Sequence, residues 1–165
     1  MRKLHHSLYR EMLKIHSWRT ASLVMALTAI VGLALPALGD HKRPFRGHAD
    51  EMIIDARPVA DVILVTATGT GEATHLGRFT RLGNVVIHLV DGSVEGTVVF
   101  TAANGDQLFA AIEGGPRDSP SSVGGTYTFT GGTGRFSDAS GVADFEGVNT
   151  DGVHIAATFE GTIQY

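Results

Sequence analysis

Beyond residue 40 the chain carries five histidines, His41, His48, His75, His88 and His154, and no cysteine occurs anywhere in its 165 residues. Imidazoles can ligate zinc or copper, but such a site needs two or three of them within reach of one ion. Neither His-x-His nor His-Glu-x-x-His is present, so the histidines read as separate surface or hydrogen-bonded side chains, and no metal site is expected. Carboxylates recur as Glu95, Glu113, Asp144, Glu146 and Glu160. Two of these facing each other in a closed interior could do general acid–base work, with one proton held more tightly by burial. The simpler reading is that they solvate an outer wall. Gly-x-Ser-x-Gly is absent, no Ser–His–Asp spacing stands out, and the lack of cysteine excludes thiolate catalysis, cysteine-ligated metal and a lipoprotein anchor.

The remaining candidate is GGTGRF, Gly131 to Phe136. Glycine-rich loops cradle phosphate when they open a helix, whose free N–H groups and dipole hold the anion. A dinucleotide fingerprint requires G-x-G-x-x-G, and a P-loop requires G-x-x-x-x-G-K-[ST]. Here Gly132-x-Gly134 runs on to Ser137, no lysine follows, and Asp138–Gly141 leads toward another strand. The cluster is therefore a turn. Gly131, Gly132, Gly134 and Gly141 supply backbone freedom, Phe136 is its anchoring ring, and Arg135 is placed to cap carbonyls or pair with Asp138 or Asp144. A short echo, Gly77-Arg78-Phe79 against Gly134-Arg135-Phe136, suggests two equivalent corners.

The elements that hold these residues read as strands. From Asp61 onward, segments rich in Val, Ile, Thr and Phe are separated by glycine turns every 8–12 residues or so. The expected strands are 62–68, 72–79, 85–90, 93–101, 107–113, 125–130, 141–146 and 153–163; Met52–Ala56 either adds a short strand or belongs to a linker. Asp91-Gly92, Asn104-Gly105 and Asp151-Gly152 are hairpin dipeptides. Tyr127 and Phe129 alternate with threonines, and Val153, Ile155, Ala157 and Phe159 alternate with His154, Ala156, Thr158 and Glu160, which predicts one packed and one wet face. Eight such strands with no helices to cover them are expected to close into an all-β, antiparallel, up-and-down barrel; a two-sheet sandwich is the alternative.

The first 39 residues are of another kind. Met1–Thr20 holds Arg2, Lys3, Arg10, Lys14 and Arg19 against Glu11, and Ala21–Leu35 is 15 residues without charge. Small residues follow, with Ala37 and Gly39 at −3 and −1 of a cleavage point before Asp40. This is the pattern of a helical secretory signal peptide, and its apolar run is shorter than the roughly 20 residues a spanning helix needs. The expected layout is a signal peptide at 1–39, a linker or N-terminal extension at 40–60 and a barrel domain at 61–165, with a secreted or periplasmic location. Of 13 basic and 17 acidic residues, cleavage removes five and one, leaving a chain of net charge −8. That balance disfavours nucleic acid as a partner.

The run Tyr127–Gly141, a strand ending in Gly-Gly-Thr-Gly-x-Phe and passing through a short turn to Ala-x-Gly, resembles the allene oxide cyclase and dirigent-like β-barrels. Gly161-Thr-Ile163, Gly105-Asp106 and Ala73–Phe79 extend the likeness to secreted bacterial members. The resemblance implies an eight-stranded barrel whose interior shapes a hydrophobic substrate without a cofactor. It does not carry over catalytic residues, because the cyclase's cysteine has no counterpart and the dirigent aspartates and arginine have no matching local sequence. The leading expectation is thus an exported barrel that binds a small hydrophobic molecule or serves a structural role in the envelope. The alternative is a cofactor-free isomerase, cyclase or stereochemistry-directing protein, with His75, His88, Glu95 or Arg135 as polar helpers around the ligand. A third is a module that assembles into homo-oligomers through its outer wall. A solid interior would exclude the first two. A cavity of a few hundred Å³ holding two or more titratable side chains is what the enzyme requires.

Overall fold

A computed structural model describes residues 41–119 and 121–165; the expected signal peptide lies outside the described residues. Eight strands follow one another: β1 (Arg43–Val59), β2 (Val62–Ala73), β3 (Gly77–His88), β4 (Val94–Ala102), β5 (Gln107–Pro116), β6 (Ser122–Gly132), β7 (Ser140–Asn149) and β8 (His154–Gln164). Each pairs antiparallel with the next, and β8 returns to β1, so the sheet is a closed up-and-down barrel. Closure leaves no strand edge unpaired, which answers the hazard of a long helix-free sheet. A single 3-10 turn, Gly134–Phe136, is the one helical element among the described residues.

The count of eight is reached differently from the sequence expectation. Residues 40–60, expected as a linker or extension, instead supply the 17-residue β1, which pairs with both β2 and β8. Its exposed charges and a bulge at Ile54 interrupt the alternation that marks a strand. The expected strand at 72–79 spans the turn between β2 and β3, and the one at 85–90 covers the end of β3, to His88, and two residues of the turn that follows. At Asp91-Gly92 and Asn104-Gly105 only the glycines take positive φ (+73° and +89°), so these hairpins close through longer loops ending in a left-handed glycine.

The interior divides along the barrel axis. At the end bearing the β2–β3, β4–β5 and β6–β7 turns, rings fill the lumen. Phe45 meets Phe129 edge-on at 4.8 Å and stacks on Phe159 at 5.4 Å, while Phe79 meets Phe100 edge-on at 5.4 Å. Leu108, Phe136 and Ile163 are fully buried among them. At the opposite end, toward the β3–β4, β5–β6 and β7–β8 loops, the inward residues shorten to Val, Ile and Ala and the lumen stays open. One end is plugged and the other is a mouth.

Candidate functional site

The GGTGRF turn sits at the plugged end. Phe136 is 0 % exposed and packs on Tyr165 at 5.0 Å. Gly134 (φ +57°) and Gly77 (φ +65°) are both left-handed, each two residues before a buried phenylalanine, so the Gly-Arg-Phe echo marks two corners of the same end. Arg135 reaches neither Asp138 nor Asp144. Its Nη1 donates to Asp106 Oδ2 at 2.9 Å and its Nη2 to the His75 carbonyl at 2.9 Å, tying the β6–β7 turn to the β4–β5 and β2–β3 turns. His75 itself (φ +68°) sets its Nε2 3.1 Å from the Pro44 carbonyl oxygen.

The other polar candidates lie on the outer wall. His88 Nε2 is 3.3 Å from Glu95 Oε1, and both side chains are well exposed. Register sets Glu95 opposite Glu113, Glu113 opposite Thr126, Thr126 opposite Asp144 and Asp144 opposite Glu160, so four exposed carboxylates share one row around the outside. His154 Nδ1 is 2.7 Å from Asp151 Oδ2 at the mouth. Three donated hydrogen bonds, from the His154 backbone and ring and the Val153 backbone, hold the Asp151 carboxyl down to about 2. Among the described residues no group of three His, Asp or Glu side chains is placed to share a metal ion.

Behind the mouth lies a cavity of about 630 Å³, whose walls include none of His75, His88, Glu95 and Arg135. Its sides are apolar, with Val65, Val85, Ile87, Ile112, Val123 and Phe145 prominent, and Pro116, Ser121 and Asp151 stand at the rim. Its floor, resting on the aromatic plug, is polar: Glu51, Arg81 and Tyr127. These three were not singled out from the sequence.

Alternation brings them inward. Glu51 falls in phase with Phe45 and Ala49 on β1, Arg81 with Phe79 and Gly83 on β3, and Tyr127 with Phe129 on β6. Glu51 stands opposite Gly69 of β2, and Gly69 stands opposite Arg81. The glycine between them has no side chain, so acid and base meet over it. A Cβ at Gly69 would sit 2.5 Å from the Asp50 carbonyl oxygen and 2.9 Å from Glu51 Cα. Gly83 gives the guanidinium room on the other side; a Cβ there would lie 3.0 Å from Arg81 Nη1.

Arg81 Nη1 donates to Glu51 Oε2, with both side chains 5 % exposed. Its Nη2 donates to the Tyr127 hydroxyl at 3.3 Å, and Tyr127 stacks on Phe145 at 4.7 Å. Among the described residues Arg81 Nε is the one buried side-chain polar atom without a partner. Burial pushes the Glu51 carboxyl above its ordinary range, against the opposing charge and hydrogen bond of Arg81. Burial likewise raises the Tyr127 hydroxyl. A buried pair of this kind contributes little net stability, because desolvation offsets the attraction. Its three polar groups instead give an otherwise apolar pocket a fixed chemical end.

No protein-family model matches the sequence, and no curated protein matches it. Among solved structures the chain is similar to a pterocarpan synthase dirigent protein, at 12% sequence identity and a TM-score of 0.48, over 75% of this chain and 86% of that one.

Proposed function

We propose that the barrel is a receptor for a small hydrophobic molecule, which enters through the mouth and lies between the apolar walls. The observation that carries this reading is the 630 Å³ lumen, open at one end, plugged at the other and lined mostly by aliphatic side chains. Its volume is within the range of small-molecule sites, which are concave, largely apolar and furnished with few polar groups. Saturable binding of a neutral apolar dye such as N-phenylnaphthylamine is the test. Val85→Trp, which fills the lumen from one wall, abolishes the signal while the circular dichroism of the barrel is retained. A wild-type protein that shows no saturable uptake overturns the reading.

A second reading is favoured by the floor. Glu51, Arg81 and Tyr127 supply three titratable side chains inside the cavity, which is the requirement set above for a cofactor-free isomerase or cyclase. In that case the apolar walls fold the substrate and the floor moves or steadies a proton. Turnover lost in Glu51→Gln, with dye binding kept, separates enzyme from receptor.

Export is proposed on the basic segment, the 15 uncharged residues and the small residues before Asp40. Amino-terminal sequencing of protein recovered outside the cytoplasm then begins at Asp40; an intact Met1 terminus in that fraction refutes it.

A further inference from the structure

Inside the cavity the hydrogen-bonding capacity of the floor is unevenly used. The Tyr127 oxygen accepts from Arg81 Nη2, which leaves the hydroxyl proton to be donated. Among the described residues no acceptor receives it, although the side chain is 1 % exposed and lines the cavity. Accepting from a guanidinium also polarises the hydroxyl and strengthens it as a donor. The one full positive charge at the floor is meanwhile neutralised by Glu51, in a pair whose side chains are each 5 % exposed.

We infer that the cavity selects neutral ligands whose inner end presents a hydrogen-bond-accepting oxygen, of the carbonyl or ether kind, to the Tyr127 hydroxyl, and that it discriminates against carboxylates. A carboxylate would arrive beside Glu51 and be repelled by it, and it would lose its hydration among aliphatic walls with no unpaired cation to compensate. An ammonium would face Arg81. A neutral oxygen gains the hydroxyl donor, beside Arg81 Nε, which also lacks a partner, and carries no charge to desolvate. The ligand therefore enters polar end first, the reverse of an arrangement in which a headgroup stays at the rim. This inference rests on the receptor reading and adds to it the chemistry of the inner end.

Three naphthalenes of similar size test it in competition with N-phenylnaphthylamine at neutral pH: the acetyl ketone, the ethyl hydrocarbon and the carboxylate. The ketone binds about three- to tenfold tighter than the hydrocarbon, the range one net hydrogen bond supplies. The carboxylate binds weaker than the hydrocarbon. Tyr127→Phe brings the ratio of ketone to hydrocarbon affinity toward one, whereas a merely structural role of Tyr127 would weaken both ligands alike and keep the ratio. Equal binding of ketone and hydrocarbon, or tightest binding of the carboxylate, overturns this inference while leaving the receptor standing. If neither the dye nor any naphthalene binds, the receptor reading fails and this one with it. The wild-type ratios decide the matter even where Tyr127→Phe does not fold.

Discussion

Glu51 and Arg81 stand at one level of the barrel on strands that are not neighbours, and they pair across Gly69, whose missing side chain is the space they meet in. The contact thus depends on a residue that takes no part in it. Gly69→Val fills that space, pushes against the Asp50 carbonyl and Glu51 Cα, and strands two buried charges. The expected loss is at least about 3 kcal/mol, the lower end of what breaking a buried pair costs. Urea unfolding monitored by circular dichroism measures it. Wild-type stability in Gly69→Val would show that the pair does not need the gap.

The same pair gives the protein a pH dependence opposite in sign to that of most carboxylates. Glu51 is held above the ordinary value of 4.5, so in the window from 4.5 upward to its folded value the folded state binds the proton more tightly than the unfolded chain. Stability therefore falls as pH rises through that window and is level above it. Asp151 behaves the other way. Its carboxyl, ordinarily at 3.8, is held at about 2, so its contribution is present above 3.8 and is lost as pH falls toward 2. Thermal midpoints followed from acid to neutral pH separate the two: Glu51→Gln flattens the decline above 4.5, and Asp151→Asn flattens the acid limb. A decline above 4.5 that persists unchanged in Glu51→Gln would assign it to another group.

How much of this was legible in the sequence differs between the two ends of the barrel. The plug and its turns were readable, because a left-handed glycine two residues before an aromatic is a local signal, and Tyr127, Phe129, Ala157 and Phe159 alternate cleanly. The cavity floor was not. Arg81 fell in the gap between the expected strands at 72–79 and 85–90, where an arginine reads as solvated. Glu51 lay in a segment whose charges and bulge resemble a linker. A signal did exist: both occupy the apolar phase of their strands, Glu51 with Ala49 and Arg81 with Phe79 and Val85. It is ambiguous in one strand alone, since Leu82 occupies the outward phase of β3. Only the register across Gly69 shows that the two phases point at each other.

At the plugged end, Phe136→Ala removes a fully buried ring that Tyr165 and the surrounding core cannot collapse to replace. The expected cost is about 3–5 kcal/mol. Arg135→Ala costs less, because its pair with Asp106 is partly exposed and screened by solvent. Thermal unfolding of the two variants gives the order. An arginine variant weaker than the phenylalanine variant would make the bridge between turns, and not the ring, the main fastening of this end.

On the outer wall, the register sets like charges directly across from each other, Glu95 opposite Glu113 and Asp144 opposite Glu160. Opposed like charges destabilise a sheet, and opposite charges in the same place stabilise it by roughly 0.2–1 kcal/mol. Arg46 already relieves one end of the row, at 2.6 Å from Glu160. Nothing comparable reaches Glu113, which has no salt-bridge partner among the described residues. Glu113→Lys would face Glu95 across the β4–β5 ladder and raise the melting temperature at low salt. Because the groups are exposed, screening shortens their reach to about 10 Å or less above 0.1 M salt, and the gain shrinks as salt is added. A variant no more stable than wild type at low salt would mean that these carboxylates are spread apart enough by solvent for the row to cost nothing.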